Sequence, residues 1–72
     1  MANIVLIDDD RNLLQMVKLM LTRAGHAVET AHDGEHGITL AQQQQPDLVV
    51  VDVMMPGMNG YDVVRRLRTG PQ

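Results

Sequence analysis

Apolar and polar positions along the 72-residue chain follow two periods. Unbroken apolar runs occur at NIVLI (3–7) and within DLVVVD (47–52), and each ends directly on aspartate. Runs of this length, rich in β-branched residues, predict strands buried on both faces of a sheet. HAVETA (26–31) alternates instead, which predicts a brief strand with Val28 inward and Glu29 outward. Between the strands the period lengthens. From Arg11 onward, Leu13, Val17, Met20, Leu21 and Ala24 recur at helical spacing, and Leu14 and Met16 widen the stripe. Asp10 stands where a helix N-cap belongs, and Gly25 where the chain turns out of the last turn. Residues 35–44 predict a weaker helix, with Asp33 as its cap, Ile38 and Ala41 inward and Leu40 beside them. Gly37 and Thr39 weaken it, since an interior glycine costs ~1 kcal/mol relative to alanine. QQQQ (42–45) is its solvated end and Pro46 its stop. After a loop at 53–59, Gly60 opens a third helix through Arg68. Val63, Val64 and Leu67 are its apolar positions, and Gly70-Pro71 is a stop signal.

The order β-α-β-α-β-α implies parallel strands joined by right-handed crossovers. All strand C-terminal ends then share one edge, where ligands bind in such sheets. Asp8 and Asp9 leave the first strand and Asp52 leaves the third. If those strands are neighbours, three carboxylates meet. Like charges that close need a cation, or one of them holds its proton. Hard oxygen donors favour Mg²⁺, or Mn²⁺ or Ca²⁺ in its place, over zinc. Mg²⁺ held by few carboxylates suits a site that handles a phosphoryl group, and an aspartate can itself be the nucleophile, most simply Asp52. The same residues also fit a turn, a helix cap and a loop aspartate, and spacing by itself does not choose.

Composition narrows the picture. The chain is one domain at most, and below roughly 70–80 residues a single core rarely supplies more than ~3–5 kcal/mol. With no cysteine there is no disulfide, which accords with a reducing cytoplasm and leaves a metal or oligomerisation as added support. Nine acidic against six basic residues, a net charge of −3, argue against nucleic acid as partner. No apolar run reaches membrane-helix length, and MANIVLIDDD lacks the basic start and cleavage site of a signal peptide.

VLIDDD (5–10) and LVVVDVMMPGMNGYDVVRRLR (48–68) closely resemble the receiver domain of bacterial two-component response regulators. NLLQMVKLMLTRAG (12–25) and AHDGEHGITLAQQQQPDLVVVD (31–52) also sit as they do in that family, so the resemblance covers essentially the whole chain. It implies a flavodoxin-like α/β fold, with residues 1–72 as the N-terminal part of a receiver and a three-stranded parallel sheet of order 2-1-3. It implies phosphorelay signalling in the cytoplasm with Asp52 as phosphoacceptor. Asp9 would bind Mg²⁺ directly, Asp8 would lie beside it through water, and Met54 would offer its backbone carbonyl. Pro56 and Gly60 would shape the loop. The donor would be a phosphohistidine on a sensor histidine kinase or a small acyl phosphate. The protein would not be an enzyme beyond self-catalysed phosphotransfer.

The chain also departs from the family. A complete receiver has five strands, with a phosphate-binding Ser or Thr ending the fourth and a Lys ending the fifth. Lys18 lies mid-helix and cannot replace that lysine, and Tyr61 starts the third helix and is not the family's switch aromatic. The expectation is weakened Mg²⁺ binding and slow or absent phosphorylation of Asp52. The third strand becomes an apolar edge, and a homodimer or larger oligomer is expected through it and the uncovered sheet face. A non-catalytic interaction module, or a fragment of a longer regulator, is the competing reading. A haloacid-dehalogenase-like phosphatase is a third, on the pattern Asp8-x-Asp10, and MMPGMNG (54–60) counts against it. His26, His32 and His36 are read as exposed or turn residues. Met54, Met55 and Met58 are read as loop packing, and Arg65, Arg66 and Arg68 as a solvated helix end.

Overall fold

The computed structural model describes residues 1–69. Its elements are β1 (Asn3–Ile7), α1 (Arg11–Arg23), β2 (Ala27–Ala31), α2 (Gly34–Gln44), β3 (Leu48–Val51) and α3 (Gly60–Thr69). The stop expected at Gly70-Pro71 lies outside the described residues. Each helix starts on a side chain that satisfies its free amides. The Leu13 amide donates to Asp10 Oδ1 at 3.1 Å, and the His36 amide to Asp33 Oδ1 at 2.7 Å. The third cap was not foreseen. The Asp62 amide donates to Asn59 Oδ1 at 3.0 Å, and the Asn59 amide donates back to Asp62 Oδ2 at 3.3 Å. This reciprocal pair is a capping box built on Asn-x-x-Asp. Gly25 leaves α1 at φ +96°, as a helix-terminating glycine does.

The three strands are parallel in the order β2-β1-β3, as expected. The register pairs Ile4 with both Val28 and Leu48, and Ile7 with both Ala31 and Val51. Side chains alternate across the sheet, so the core divides in two. On one face Val5, Ile7 and Ala31 pack with Ile38 of α2, Val63 of α3 and Met55 of the β3–α3 loop. On the other, Ile4, Leu6 and Val28 pack with Leu14 of α1. The interior glycine of α2 has a packing reason: a Cβ at Gly37 would collide with the Ile7 side chain.

Several expectations are corrected. Of the α1 stripe only Leu14 is fully buried, with Val17 and Leu21 packed at the margin, while Leu13, Met16 and Met20 are exposed. α1 packs mainly against β2, so only a narrow strip of the helix faces the sheet. β3 is not buried on both faces: Val49 and Val51 pack against the α2/α3 core, but Leu48 and Val50 are about half exposed. Val64 is also exposed, because Val63 takes the inward position. Met55 and Met58 do pack in the loop, whereas Met54 is 82% exposed. Arg66 is more than a solvated end: it reaches Glu35 of α2 at 3.0 Å. His26 is half-buried, and its Nδ1 accepts a hydrogen bond from the Ala2 amide. His32 and His36 are exposed, as expected.

Candidate functional site

The sheet's C-terminal edge is drawn together by hydrogen bonds that continue the ladder one residue past each strand. The Asp8 amide donates to the Ala31 carbonyl at 3.1 Å, and the Asp52 amide to the Ile7 carbonyl at 2.9 Å. These bonds fix the backbones from which the acidic side chains project. Asp8, Asp9 and Asp52 thereby meet, each offering a carboxylate oxygen within 4.8 Å of the others. Asp8 and Asp52 are partly buried and Asp9 is exposed.

The neighbours of these carboxylates are mostly backbone amides. Asp8 Oδ1 accepts from the Asp10 amide at 2.9 Å, and Asp52 Oδ1 from the Met54 amide at 3.2 Å. No salt bridge among the described residues involves any of the three. Burial pushes the Asp8 carboxyl above the usual aspartate value, and the charges of Asp52 and Asp9 push the same way. The Asp10 amide opposes this and does not cancel it. Three convergent oxygen donors without a neutralising side chain fit a hard divalent cation such as Mg²⁺.

The loop after β3 is tied back to the site. The Gly60 amide donates to the Val53 carbonyl at 3.1 Å. A Cβ at Gly60 would lie 2.5 Å from the Asp52 carbonyl oxygen, so only glycine allows this approach. Gly57 turns the loop at φ +77°, beside the exposed Pro56. Met58 anchors it by packing against Gly34 at the start of α2. The sequence reading missed that anchor, and only the chemistry of Asn59 and Asp62 hinted at the capping box beside it. Asp10 stays outside the cluster, with its carboxylate on the Leu13 amide, which leaves a D-x-D nucleophile pair unformed.

Next to the carboxylates, a cleft of about 180 Å³ opens between α1 and β3. Leu6, Leu13, Val17 and Val50 line its apolar part, and Asp8 and Asp52 its rim.

Residues 4–72 match the family described as response regulator receiver domain. The chain is 47% identical over all 72 residues to the transcriptional regulatory protein AfsQ1 of Streptomyces coelicolor, covering 32% of that protein. It is 40% identical over 67 residues to PilH of Pseudomonas aeruginosa, covering 93% of this chain and 55% of PilH. The fold matches TrrA of Thermotoga maritima, solved in complex with Mg²⁺–BeF, with a TM-score of 0.88 at 32% identity, covering 94% of this chain and 59% of TrrA. A structure of the histidine kinase ThkA in complex with TrrA matches with a TM-score of 0.89 at 31% identity, covering 99% of this chain and 61% of the matched chain. The chain thus spans between about a third and three fifths of these relatives. A parallel sheet of order β2-β1-β3 carrying three aspartates at its C-terminal edge, with this sequence match over nearly its whole length, makes the chain a member of the response regulator receiver family.

Proposed function

We propose that this chain carries the phosphoacceptor half of a two-component phosphorelay, with Asp52 as acceptor. The observation that carries the reading is the meeting of Asp8, Asp9 and Asp52 at the sheet edge, with no salt bridge to any of them among the described residues. Asp9 and Asp52 would hold Mg²⁺, with Asp8 beside it and the Met54 backbone carbonyl as a further donor. Bound there, the ion would supply positive charge for the phosphoryl oxygens. A carboxylate oxygen of Asp52 attacks phosphorus, the bond from phosphorus to the donor's imidazole nitrogen breaks, and that nitrogen keeps the electron pair. Gly60 holds the following loop against the Asp52 backbone, and Gly57 and Pro56 turn it. The donor is a phosphohistidine on a sensor kinase or a small acyl phosphate, and the exchange takes place in the cytoplasm. The structure of TrrA with a histidine kinase supports the first donor.

Within these 72 residues the sole lysine, Lys18, lies in the middle of α1, and no salt bridge among the described residues joins it to the cluster. A missing preorganised donor typically costs ~2.7–4 kcal/mol of transition-state stabilisation. The 72-residue chain by itself is therefore expected to accept phosphate slowly. Mass spectrometry after incubation with acetyl phosphate and Mg²⁺ tests this. A slow gain of one phosphoryl group, abolished in Asp52→Asn, is expected. Rapid stoichiometric modification would refute the slow rate, and modification that survives Asp52→Asn would refute the acceptor.

A second reading is favoured by the exposed Leu48 and Val50 of β3 and the exposed apolar residues of α1. In it the chain is a dimerisation module that packs through the third strand and the uncovered sheet face, and the acidic site does no chemistry in this form.

A further inference from the structure

The loop between β3 and α3 is latched to α2 through a single thioether. A Cβ at Gly34 would lie 2.9 Å from Met58 Sδ and 3.0 Å from its Cβ and Cγ, so the Met58 side chain lies directly on the buried first residue of α2. Met58 is partly buried and also packs against the α2/α3 core. It lines a groove of about 560 Å³ that opens between α2 and α3, together with Glu35, Asp62, Arg65 and Arg66. Both sides of the latch belong to the described residues, and α2 lies over β1 and β2, away from the β3 edge. The contact therefore stands whatever chain follows α3. We infer that Met58 is a site of reversible oxidation by hydrogen peroxide, and that its sulfoxide unlatches the loop and loosens cation binding at Asp52. The inference rests on the reading of the three aspartates as a Mg²⁺ site.

The six methionines differ in what an added oxygen would do. Met1, Met16, Met20 and Met54 are each more than half exposed, and none of them belongs to either core cluster. Oxygen on these sulfurs points into water and moves nothing. Met55 is only 6% exposed, which shields its sulfur. Met58 alone is both reachable from the groove and packed against the core. In the reaction a sulfur lone pair attacks one peroxide oxygen and the O–O bond breaks. That oxygen stays on sulfur, and its proton leaves with the other oxygen as water. The sulfur is oxidised by two electrons and the peroxide is reduced. The product is polar and chiral where the thioether was apolar and adaptable. Its oxygen needs hydrogen bonds that the Gly34 contact does not offer, so the side chain turns to the groove and leaves α2.

The loop carries this change to the acceptor. At one end the Met54 amide holds Asp52 Oδ1 at 3.2 Å. At the other the Gly60 amide donates to the Val53 carbonyl at 3.1 Å, with the Gly60 Cα against the Asp52 backbone. Between them Met55 and Met58 are the side chains that pack the loop against the core. Loss of one of these two attachments frees the segment that fixes the Asp52 carboxylate and the Met54 carbonyl.

Peroxide treatment of the metal-free 72-residue chain tests the site, with peptide mass spectrometry, Mg²⁺ titration and amide hydrogen exchange before and after. A gain of one oxygen at Met58 is expected. Mg²⁺ affinity is expected to fall about tenfold, the lower end of the loss when groups that hold metal ligands in place are removed. The Gly60 amide should exchange faster. Methionine sulfoxide reductases with a dithiol should restore the native affinity. Met58→Leu keeps an apolar side chain of similar volume. It is expected to hold Mg²⁺ as the native chain does, before and after peroxide, while Met16, Met20 and Met54 still take up oxygen. Met58 left unoxidised, an affinity unchanged by its oxidation, or an equal loss in Met58→Leu would each overturn the latch. An untreated chain that binds no Mg²⁺ would overturn the cation-site reading instead. The Gly60 amide, measured without metal, then decides the latch: faster exchange on oxidation upholds it and unchanged exchange overturns it.

Discussion

The two faces of the sheet are built from the same three strands and differ in how they are finished. On the α2/α3 face, Val5, Ile7 and Val63 are essentially inaccessible, and Met55 and Met58 of the loop close the margin. On the α1 face, Ile4, Leu6, Val28 and Leu14 form a smaller core, and the half over β3 is open. Two helices cross one face and one helix crosses the other. The difference teaches that apolar sequence does not bury itself. Val49 and Val50 are chemically identical neighbours, yet Val49 packs against the core and Val50 is 46% exposed, because among the described residues helices pack only on the Val49 side of β3.

The largest test of the contrast is truncation in the finished face. Ile7→Ala or Ile38→Ala is expected to cost ~2–5 kcal/mol, comparable with the whole stability of so short a chain. Each should therefore be largely unfolded at 25 °C by circular dichroism. A cooperative urea transition near that of the native chain would show the finished face to be less decisive than its burial implies. Gly60→Ala comes next. Its Cβ would press on the Asp52 carbonyl, so a loss of ~1–3 kcal/mol in urea melts is expected, with weakened Mg²⁺ binding read by titration.

Truncation on the open face should do less. Val50→Ala is expected to cost under about 0.5 kcal/mol in dilute solution, the scale of a surface change. If copies associate through this face, the cost should grow with protein concentration, since a dimer's stability depends on it. A cost that is large in dilute solution would erase the contrast between the faces.

The smallest effect lies at the edge that both faces share. Without metal, the raised Asp8 value means that the folded chain holds this proton more tightly than the unfolded chain does. The carboxylate therefore burdens folding above that value, and the burden vanishes as pH falls below the unfolded value near 3.8. Asp8→Asn is expected to raise the metal-free Tm slightly at pH 7 and to make no difference at pH 3. Added Mg²⁺ should raise the native Tm and shrink the variant's advantage. A lower Tm for Asp8→Asn at pH 7 would contradict the sign.

Much of this was legible beforehand, for reasons tied to particular residues. Asp10 and Asp33 announced their helices because a carboxylate before an apolar-periodic stretch has a local job, capping amides two or three residues on. The alternation of strands with helices dictated parallel pairing, and the aspartates that end β1 and β3 dictated the location of the site. The pair Asn59 and Asp62 was equally local but used a less familiar residue combination. The α1 stripe misled because Leu13, Val17, Met20 and Leu21 are all apolar, and periodicity cannot tell which of several apolar flanks meets a sheet. Gly37 read as a weakness, and only the position of Ile7 on a different strand explains it.

The amino-acid order thus determined whatever depends on neighbours within a few residues: where helices start, which segments extend, and that charge follows each long apolar run. The tertiary structure decided what depends on distance through space. It set Asp8, Asp9 and Asp52 within 4.8 Å of one another, brought Gly60 against the Asp52 backbone, and left Leu48 and Val50 bare. Caps and periodicity are short-range, whereas convergence and exposure are fixed only when elements far apart in the chain pack side by side.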